Sequence, residues 1–433
     1  MVLVGVIALA LIGSIWVTAS SLMDGAGTFS AQPEPDRRPR GPGRKPPPPP
    51  TEEDIESQPP PGKPADVGDL AEQVARLHDL PLRRRVRTRV TTAEALADKV
   101  SQIAFEENDA KEVEDTERLL VALRLAPPGT DLDATMERLY REQILGLYIP
   151  KERTLYVRKG GDKSPLQRVT TVHEITHALQ DQSFDLEAMQ RRVRKDSEAS
   201  LALLSLIEGD AVLTQQVWVE QYLDASEMQR LADEGQGSDD ALDDAPDYLQ
   251  ASLFFPYREG AQFVVDLFRT GGFAAINEAF ADPPTTTEQI LHPERYRAGD
   301  EADDVTVTAR PPGDWDEAAT FPFGEFDLLE IFAGLGSDSA ETAAEGWGGG
   351  EIRSWEQGED TAVAAALTFD SIGDATEACD AFGRWYVQVV GGRGVGEGLY
   401  ASSEDHLALR CGGAAVRFGL GPSPAMARQL AQE

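Results

Sequence analysis

Cysteine and histidine are scarce in this chain of 433 residues, which contains two cysteines and five histidines. The two thiols, Cys379 and Cys411, allow at most one internal disulfide. They exclude a zinc site built from four thiolates and an iron–sulfur cluster. A metal ion in this protein would therefore be bound mainly by histidine and carboxylate side chains.

Basic residues are few relative to acidic ones. Lys and Arg number 40 against 75 Asp and Glu, which gives a formal net charge of -35. A surface of this charge repels phosphate backbones, so we expect no nucleic-acid partner. Hydrophobic residues make up 41% of the chain, enough to bury a core, and the length suits two or three domains.

The N-terminus is apolar and is followed by a Pro-rich segment. Val2 to Trp16 reads VLVGVIALALIGSIW, which together with its flanks can cross a membrane once or act as a cleaved export signal. Residues 1–23 are therefore predicted to be a transmembrane anchor or signal peptide, and residues 24–66 a disordered linker. Both alternatives predict a membrane-anchored or secreted, extracytoplasmic protein, although the arginines that follow the apolar run favour the opposite orientation.

The rest of the chain is predicted to be α+β. A mostly helical catalytic domain with a small sheet edge is expected over residues 67–300, and a smaller α+β domain over residues 301–433. The acidic, Pro- and Gly-containing segment from Ala298 to Asp316 marks the boundary between them.

Local patterns place the main elements of both domains. In the first, they predict a hairpin of Ile144–Ile149 and Thr154–Val157, a helix from Pro165 to about Gln182 and a helix over Ser197–Tyr222. In the second, they predict strands at Thr361–Phe369, Leu407–Cys411 and Ala414–Phe418, and a helix at Asp374–Val390.

The sequence HEITH, from His173 to His177, carries the most specific chemical signal. It lies inside a predicted helix, where positions i and i+4 share a face, so both imidazoles can bind one ion. Glu174 lies about 100° around the helix, where its carboxylate can reach a water in the open coordination position. The spacing is typical of zinc hydrolases. The alternative is a pair of surface histidines, but the same helix is apolar at several positions, where unpartnered polar groups are costly.

A catalytic zinc ion usually has three protein ligands, so one more is needed. Glu208 is the best candidate because it interrupts an apolar helix, in which an ionised carboxylate needs a charged partner or a metal. Asp210 and Glu198 are lesser candidates, and a Glu on the solvent side of the helix is the alternative without a metal. Gly209 beside it lowers helix stability by about 1 kcal/mol relative to Ala, which a close backbone approach would explain.

HEITHALQDQ followed by IEGDA on the next helix resembles the gluzincin metallopeptidases, the thermolysin-like superfamily in which a Glu from a following helix completes the zinc site. The resemblance covers roughly residues 140–300. It implies that His173, His177 and Glu208 bind Zn²⁺ and that Glu174 is the general base. Two features depart from the family: 30 residues separate His177 from Glu208, more than in thermolysin itself, and no Asp stands four residues after Glu208.

Hydrolysis by an activated water also needs a donor to the oxyanion, commonly His or Tyr. His292 in TEQILHPERY is the first candidate, since similar segments follow the zinc helices in uncharacterised members of the same superfamily. Tyr257 and Tyr296 are alternatives, and ordinary packing roles are open for all three. Asp181, four residues after His177, either orients a ligand imidazole or is a solvated helix charge.

These patterns predict a zinc-dependent peptidase that acts on a peptide or protein, with Glu174 as general base. The membrane is expected as a partner only through residues 1–23, and the oligomeric state stays open. The alternative is a non-catalytic secreted binding module with a structural metal site. The presence of Glu174 argues against it, because a structural zinc site needs no base.

Several other features have simpler expectations. His78 and His406 are predicted to be surface residues. The basic run RRRVRTR over residues 83–89 is expected to form ion pairs with the acidic surface. GWGGG around Trp347 predicts a tight loop. Cys379 and Cys411 should both point into the core of the second domain, where an oxidising compartment would join them in a disulfide.

Overall fold

The computed structural model describes residues 66–107, 110–143, 145–159, 164–234 and 244–432. The predicted anchor or signal segment, residues 1–23, lies outside the described residues, as does the predicted linker up to residue 65. Across the described ranges, no helix is both long enough and apolar enough to cross a membrane.

The described residues form fifteen α-helices and ten β-strands, which confirms the α+β class. The helices are α1 Val67–His78, α2 Ala93–Glu107, α3 Ala110–Ala122, α4 Leu132–Gln143, α5 Pro165–Phe184, α6 Leu186–Val193, α7 Ser197–Tyr222, α8 Ala225–Glu234, α9 Asp247–Ala279, α10 Thr287–Leu291, α11 Pro293–Ala298, α12 Glu325–Phe332, α13 Ser337–Ala344, α14 Ile372–Gln388 and α15 Pro424–Leu430. The strands are β1 Arg87–Thr91, β2 Gly146–Ile149, β3 Thr154–Arg158, β4 Asp316–Pro322, β5 Trp347–Gln357, β6 Asp360–Phe369, β7 Arg393–Gly396, β8 Leu399–Ala401, β9 His406–Gly412 and β10 Ala415–Gly421.

The first sheet has three strands in the order β1-β3-β2. The predicted hairpin is confirmed: β2 and β3 pair antiparallel with Ile149 opposite Thr154. Strand β1 pairs parallel to β3, with Arg87 opposite Thr154. The helical spacing of apolar residues between Leu70 and Leu125 predicts helices alone, so this strand is not expected from the sequence. Because β2 is an edge strand, its free side is available to the helix beside it.

Helix α5 lies along that free edge and begins where the sequence predicted. Ser164 is its N-cap and accepts a hydrogen bond from the Gln167 backbone, and Pro165 occupies the first helical position. The helix ends at Phe184, two residues beyond the predicted end. Helix α7 spans the predicted Ser197–Tyr222, and Asp196 caps it.

Helix α7 packs against α5 on one side and α9 on the other. The contact with α9 is a backbone contact: a Cβ built on Gly209 would lie 2.2 Å from the Gly260 carbonyl oxygen, and a Cβ on Gly260 would lie 2.3 Å from the Ser205 carbonyl oxygen. Any side chain at either position would separate the two helices. The expectation of a close backbone approach at Gly209 is confirmed.

The second sheet has seven strands in the order β4-β5-β6-β10-β9-β8-β7, and its neighbouring strands are antiparallel. Helices α14 and α15 pack on it, and α3 from the first half of the chain contacts β4 and β6. One hydrophobic core runs from α3, α7 and α9 into this sheet. The boundary at residues 300/301 stays a prediction.

Two sequence expectations in the second half are corrected by the structure. Trp347 does not lie in a loop but opens β5, where its indole nitrogen donates to the Phe323 carbonyl. Cys379 and Cys411 form a disulfide with Cα atoms 6.3 Å apart. However, Cys411 is exposed and Cys379 is half-buried, so the bridge lies at the surface and not in the core.

Candidate active site

Three side chains from two neighbouring helices meet in the core. His173 and His177 lie one turn apart on α5, and Glu208 lies on α7. Glu208 Oε2 is 3.1 Å from His173 Nε2 and 3.5 Å from His177 Nε2. One nitrogen or oxygen from each residue falls within 4.8 Å of the other two. The fold thus brings together the three residues that were predicted to bind the metal.

Several buried polar atoms in this cluster have no hydrogen-bond partner among the described residues: His173 Nδ1, Glu174 Oε1, His177 Nε2 and Glu208 Oε1. Such atoms are rare in proteins, because each costs about 1–3 kcal/mol. Two imidazoles and a carboxylate are also the ligand set of a catalytic zinc ion that keeps one position open. The residues present therefore fit a zinc ion.

The electrostatics of His173, His177 and Glu208 favour a positive charge between the three side chains. Burial alone would lower the pKa of His177, but the carboxylate of Glu208 raises it to about 9. Burial likewise disfavours the Glu208 carboxylate, yet the two imidazoles bring its pKa down to about 2. The negative charge that stabilises a proton at this position would stabilise a bound divalent cation in the same way.

The tautomer of His177 follows from its neighbours. The Gln180 amide nitrogen donates to Asp210 Oδ2 at 2.7 Å and to the Ile207 carbonyl at 3.1 Å, both of which accept. This fixes the amide, so its oxygen faces His177 Nδ1 at 2.9 Å. Because that oxygen accepts, Nδ1 carries a proton, and Nε2 is left as the ring atom that faces Glu208 and could bind either a proton or a metal.

The same chain of hydrogen bonds continues to His78, the last residue of α1. His78 Nε2 lies 2.6 Å from Asp210 Oδ1, and both side chains are 0% exposed. The His78 ring also contacts Phe273 in a tilted arrangement, with 4.4 Å between centroids. The expectation that His78 is a surface residue is therefore wrong. Its 132-residue separation from Asp210 explains why no local pattern showed the contact.

Glu174 turns away from α7 toward the edge strand. Its Oε2 accepts a 2.5 Å hydrogen bond from the Tyr148 backbone nitrogen on β2. Gly146 gives room for this approach, since a Cβ there would lie 3.3 Å from Glu174 Cγ. Burial raises the pKa of the Glu174 carboxyl, an effect that the nearby imidazoles oppose. A raised pKa brings a carboxyl closer to the range in which it can exchange a proton at neutral pH.

The site is enclosed. His173 and His177 are 1% exposed, and Glu174 and Glu208 are 0% exposed. On one side, apolar residues of α2 and α4 pack with β2 and with Tyr257 of α9; these are Leu96, Val100, Met136 and Leu139. A peptide can reach Glu174 only if part of this enclosure moves.

The predicted oxyanion donors lie in different surroundings. The ring of Tyr257 stacks beside His173, with 6.2 Å between centroids. His292 instead lies at the junction of α10 and α11, where its Nε2 is 2.9 Å from Glu325 Oε1. The Tyr296 hydroxyl donates to the Asp282 carbonyl. Of these three, the described contacts join only Tyr257 to the metal cluster, and the roles of Tyr257 and His292 stay predictions.

The lesser carboxylate candidates are occupied elsewhere. Asp210 belongs to the His78 chain described above. Glu198 accepts hydrogen bonds from the backbone and hydroxyl of Thr287. Asp181 accepts from the Tyr148 hydroxyl at 2.8 Å rather than from an imidazole. The residue that orients His177 is Gln180, which the sequence analysis did not single out.

Comparison with known proteins yields one match. A family described as a domain of unknown function (DUF8575) matches residues 297–431, which include the seven-stranded sheet and the helices α12 to α15. No curated protein and no solved structure matches the chain. The matched residues do not include the His173, His177 and Glu208 cluster.

Proposed function

We propose that this protein is a zinc-dependent peptidase whose metal is held by His173, His177 and Glu208. The observation that carries the proposal is the convergence of these three side chains, with unpartnered nitrogen and oxygen atoms, beside a fourth residue that has the position of a general base. When bound there, zinc supplies Lewis acidity, which polarises a carbonyl and lowers the pKa of water.

The other roles belong to the chain itself. Glu174 is placed one residue after His173, with Oε2 fixed by the Tyr148 backbone and Oε1 left without a partner. Oε1 is the atom that would take a proton from the attacking water and return it to the leaving amine. Tyr257, beside His173, is the favoured donor to the oxyanion, and His292 is the alternative.

The enclosure of the site favours a second candidate, a structural metal site in a non-catalytic binding module. Structural zinc ions are closed off from solvent, and here all four central side chains are nearly inaccessible. A structural site, however, usually fills all four coordination positions with protein ligands, and the cluster offers three. A structural site also has no use for a general base.

The test combines metal analysis with a peptide-library digest of the purified full-length chain. We expect about one zinc per chain and cleavage that a chelator abolishes. Glu174→Gln should retain the zinc and lose hydrolysis, since the ligands are untouched. Glu208→Ala should weaken zinc binding by at least about 10- to 100-fold, the loss seen even for residues one step removed from a metal.

Glu220→Ala is the matched control, because Glu220 is exposed on the same helix as Glu208. It should change neither zinc content nor cleavage. Stoichiometric zinc without cleavage of any peptide would favour the structural site. Loss of zinc from Glu174→Gln would contradict the assignment of Glu174 as base, and a protein that binds no zinc would contradict both candidates.

A further inference from the structure

The arginine run that precedes β1 does not behave as its sequence predicted. Arg83, Arg84, Arg85 and Arg87 are all exposed, and within the described ranges no carboxylate lies within 4 Å of their guanidinium groups. Some other arginines of the described chain are paired with a carboxylate, as in Arg168–Glu227 at 2.6 Å. The expected ion pairs with the acidic surface are therefore wrong for this run. What distinguishes the run is that it places four exposed arginines close together in a chain of net charge -35.

Three of these arginines, Arg84, Arg85 and Arg87, line a cavity of about 160 Å³. Its walls are Arg84, Arg85, Val86, Arg87, Tyr148, Arg153, Ala178 and Gln182. The loop is fixed by a 2.7 Å hydrogen bond from the Arg84 backbone nitrogen to Gln182 Oε1.

Two of these arginines act electrostatically on the wall of the cavity. Burial raises the pKa of the Tyr148 hydroxyl, and the positive charges of Arg84 and Arg153 oppose that rise. Arg153 acts in the same way on Asp181, whose carboxylate accepts from the Tyr148 hydroxyl at 2.8 Å.

The cavity and the candidate active site are built on the same two elements, β2 and α5. Tyr148 belongs to both, because its backbone nitrogen holds Glu174 and its side chain lines the cavity. Ala178 and Gln182 follow Glu174 by one and two helical turns, about 6 and 12 Å along the axis. A peptide a few residues long spans that distance, since an extended chain covers about 3.3 Å per residue.

We propose that Arg84, Arg85, Arg87 and Arg153 bind a carboxylate side chain of an acidic peptide, and that they select such peptides for the site at Glu174. The selection of peptides for Glu174 rests on the proposed function, because it assumes that the protein cleaves peptides. Guanidinium groups suit this ligand because their N–H donors match a carboxylate in geometry as well as in charge. The acidic remainder of the surface disfavours long polyanions, which leaves a short acidic segment as the ligand that fits.

Binding is tested on the full-length chain carrying Glu174→Gln, so that the result does not depend on hydrolysis. The probes are a fluorescein-labelled peptide with three Glu residues and the same peptide with Gln at those positions, followed by fluorescence anisotropy. The Glu peptide should bind at least about 10-fold more tightly than the Gln peptide, and salt should weaken it, as for exposed ion pairs.

The combined variant Arg84→Gln, Arg85→Gln, Arg153→Gln should lower the affinity for the Glu peptide about 10-fold and leave the Gln peptide unchanged. The control removes the same number of charges from arginines that are ion-paired on helices away from the cavity: Arg76→Gln, Arg191→Gln and Arg230→Gln. It should stay within about two-fold of the parent, because it changes net charge without changing the cavity.

Equal affinity for the two peptides, or an equal loss in the control, would overturn the proposal. So would binding to phosphatidylserine vesicles that the arginine variant abolishes while peptide binding is unaffected, because the cluster would then be a membrane contact. Acidic-peptide binding in a chain that hydrolyses nothing would instead refute the peptidase and leave the binding site standing.

Discussion

Replacing His78 by Phe tests the hydrogen-bond chain that reaches the candidate ligand His177. Phe preserves a ring in contact with Phe273 and removes the nitrogen that faces Asp210. The buried Asp210 carboxylate then keeps Gln180 as a partner on one oxygen and has none on the other. The change therefore isolates one interaction from the packing around it.

The expected cost follows from the burial of both partners, which are 0% exposed. Leaving a buried polar group without a partner costs about 1–3 kcal/mol, and breaking a buried ion pair costs about 3–5 kcal/mol. We expect His78→Phe to lower the free energy of unfolding by about 3 kcal/mol. We also expect zinc affinity to fall by about 10-fold or more, because Gln180 orients His177 and Asp210 holds Gln180.

The assay is equilibrium urea unfolding followed by circular dichroism, together with zinc affinity from competition with a chelator. Adding Asp210→Asn to His78→Phe removes the unpaired charge and should recover about 1–2 kcal/mol. His406→Phe, half-buried on β9 of the other sheet, is the control and should stay within about 0.5 kcal/mol. A loss below about 0.5 kcal/mol with unchanged zinc affinity would refute the reasoning.

Three further outcomes are expected. Cys379→Ser with Cys411→Ser should lower the free energy of unfolding by about 3–4 kcal/mol in chemical unfolding, the chain-entropy value for a 32-residue loop. Gly209→Ala should cost at least about 1–3 kcal/mol and weaken zinc binding, because its Cβ would meet the facing backbone at 2.2 Å. Burial and the neighbouring Asp327 raise the pKa of the Glu198 carboxyl to about 7. Protonated Glu198 therefore stabilises the folded state fully below about pH 4.5, and this stabilisation is lost as the pH rises through 7. Glu198→Gln should remove about 2 kcal/mol of the stability difference between pH 5 and pH 8, measured by urea unfolding at both.

The elements that sequence predicted correctly are those whose signals are local. Ser164 and Pro165 mark the start of α5 within two adjacent residues, and the hairpin of β2 and β3 closes over a short turn. Strand β1 was missed because its partner β3 lies 67 residues along the chain, as from Arg87 to Thr154. Its exposed arginines also gave no alternation of polar and apolar residues, the usual sign of a half-buried strand.

The glycine-rich start of β5 was predicted wrongly for a related reason. GWGGG was interpreted as a loop, since glycine is depleted in strands. In the fold, a Cβ on Gly349 would lie 2.6 Å from the Asp303 carbonyl oxygen, and one on Gly350 would lie 2.5 Å from the Phe323 carbonyl oxygen. These glycines admit neighbouring backbones that the sequence could not place.

The residues of the candidate site also differ in whether a local pattern reveals them. His173, His177 and Glu174 follow from spacing on one helix, and Glu208 from one charge in an apolar helix. Their supports, Gln180 and His78, required the fold, because an uncharged amide and a lone histidine carry no distinctive pattern. The arginine cavity likewise depends on a loop, a turn and a helix that meet only in three dimensions.

The energetics of Glu174 bear on which of the two candidate functions this fold serves. Its carboxyl is fully buried, one oxygen is without a partner among the described residues, and burial raises its pKa, so it destabilises the fold as it stands. An apolar residue of similar size would remove the buried carboxyl and leave the metal ligands in place, at the cost of the acceptor for the Tyr148 backbone N–H. A structural metal site would use the carboxyl only as that acceptor. A hydrolytic site needs it, because without a proton acceptor beside the open coordination position the bound water is not deprotonated as it attacks. The cost of Glu174 therefore supports the proposed peptidase, whereas the enclosure around it fits a structural site and a closed state of an enzyme equally.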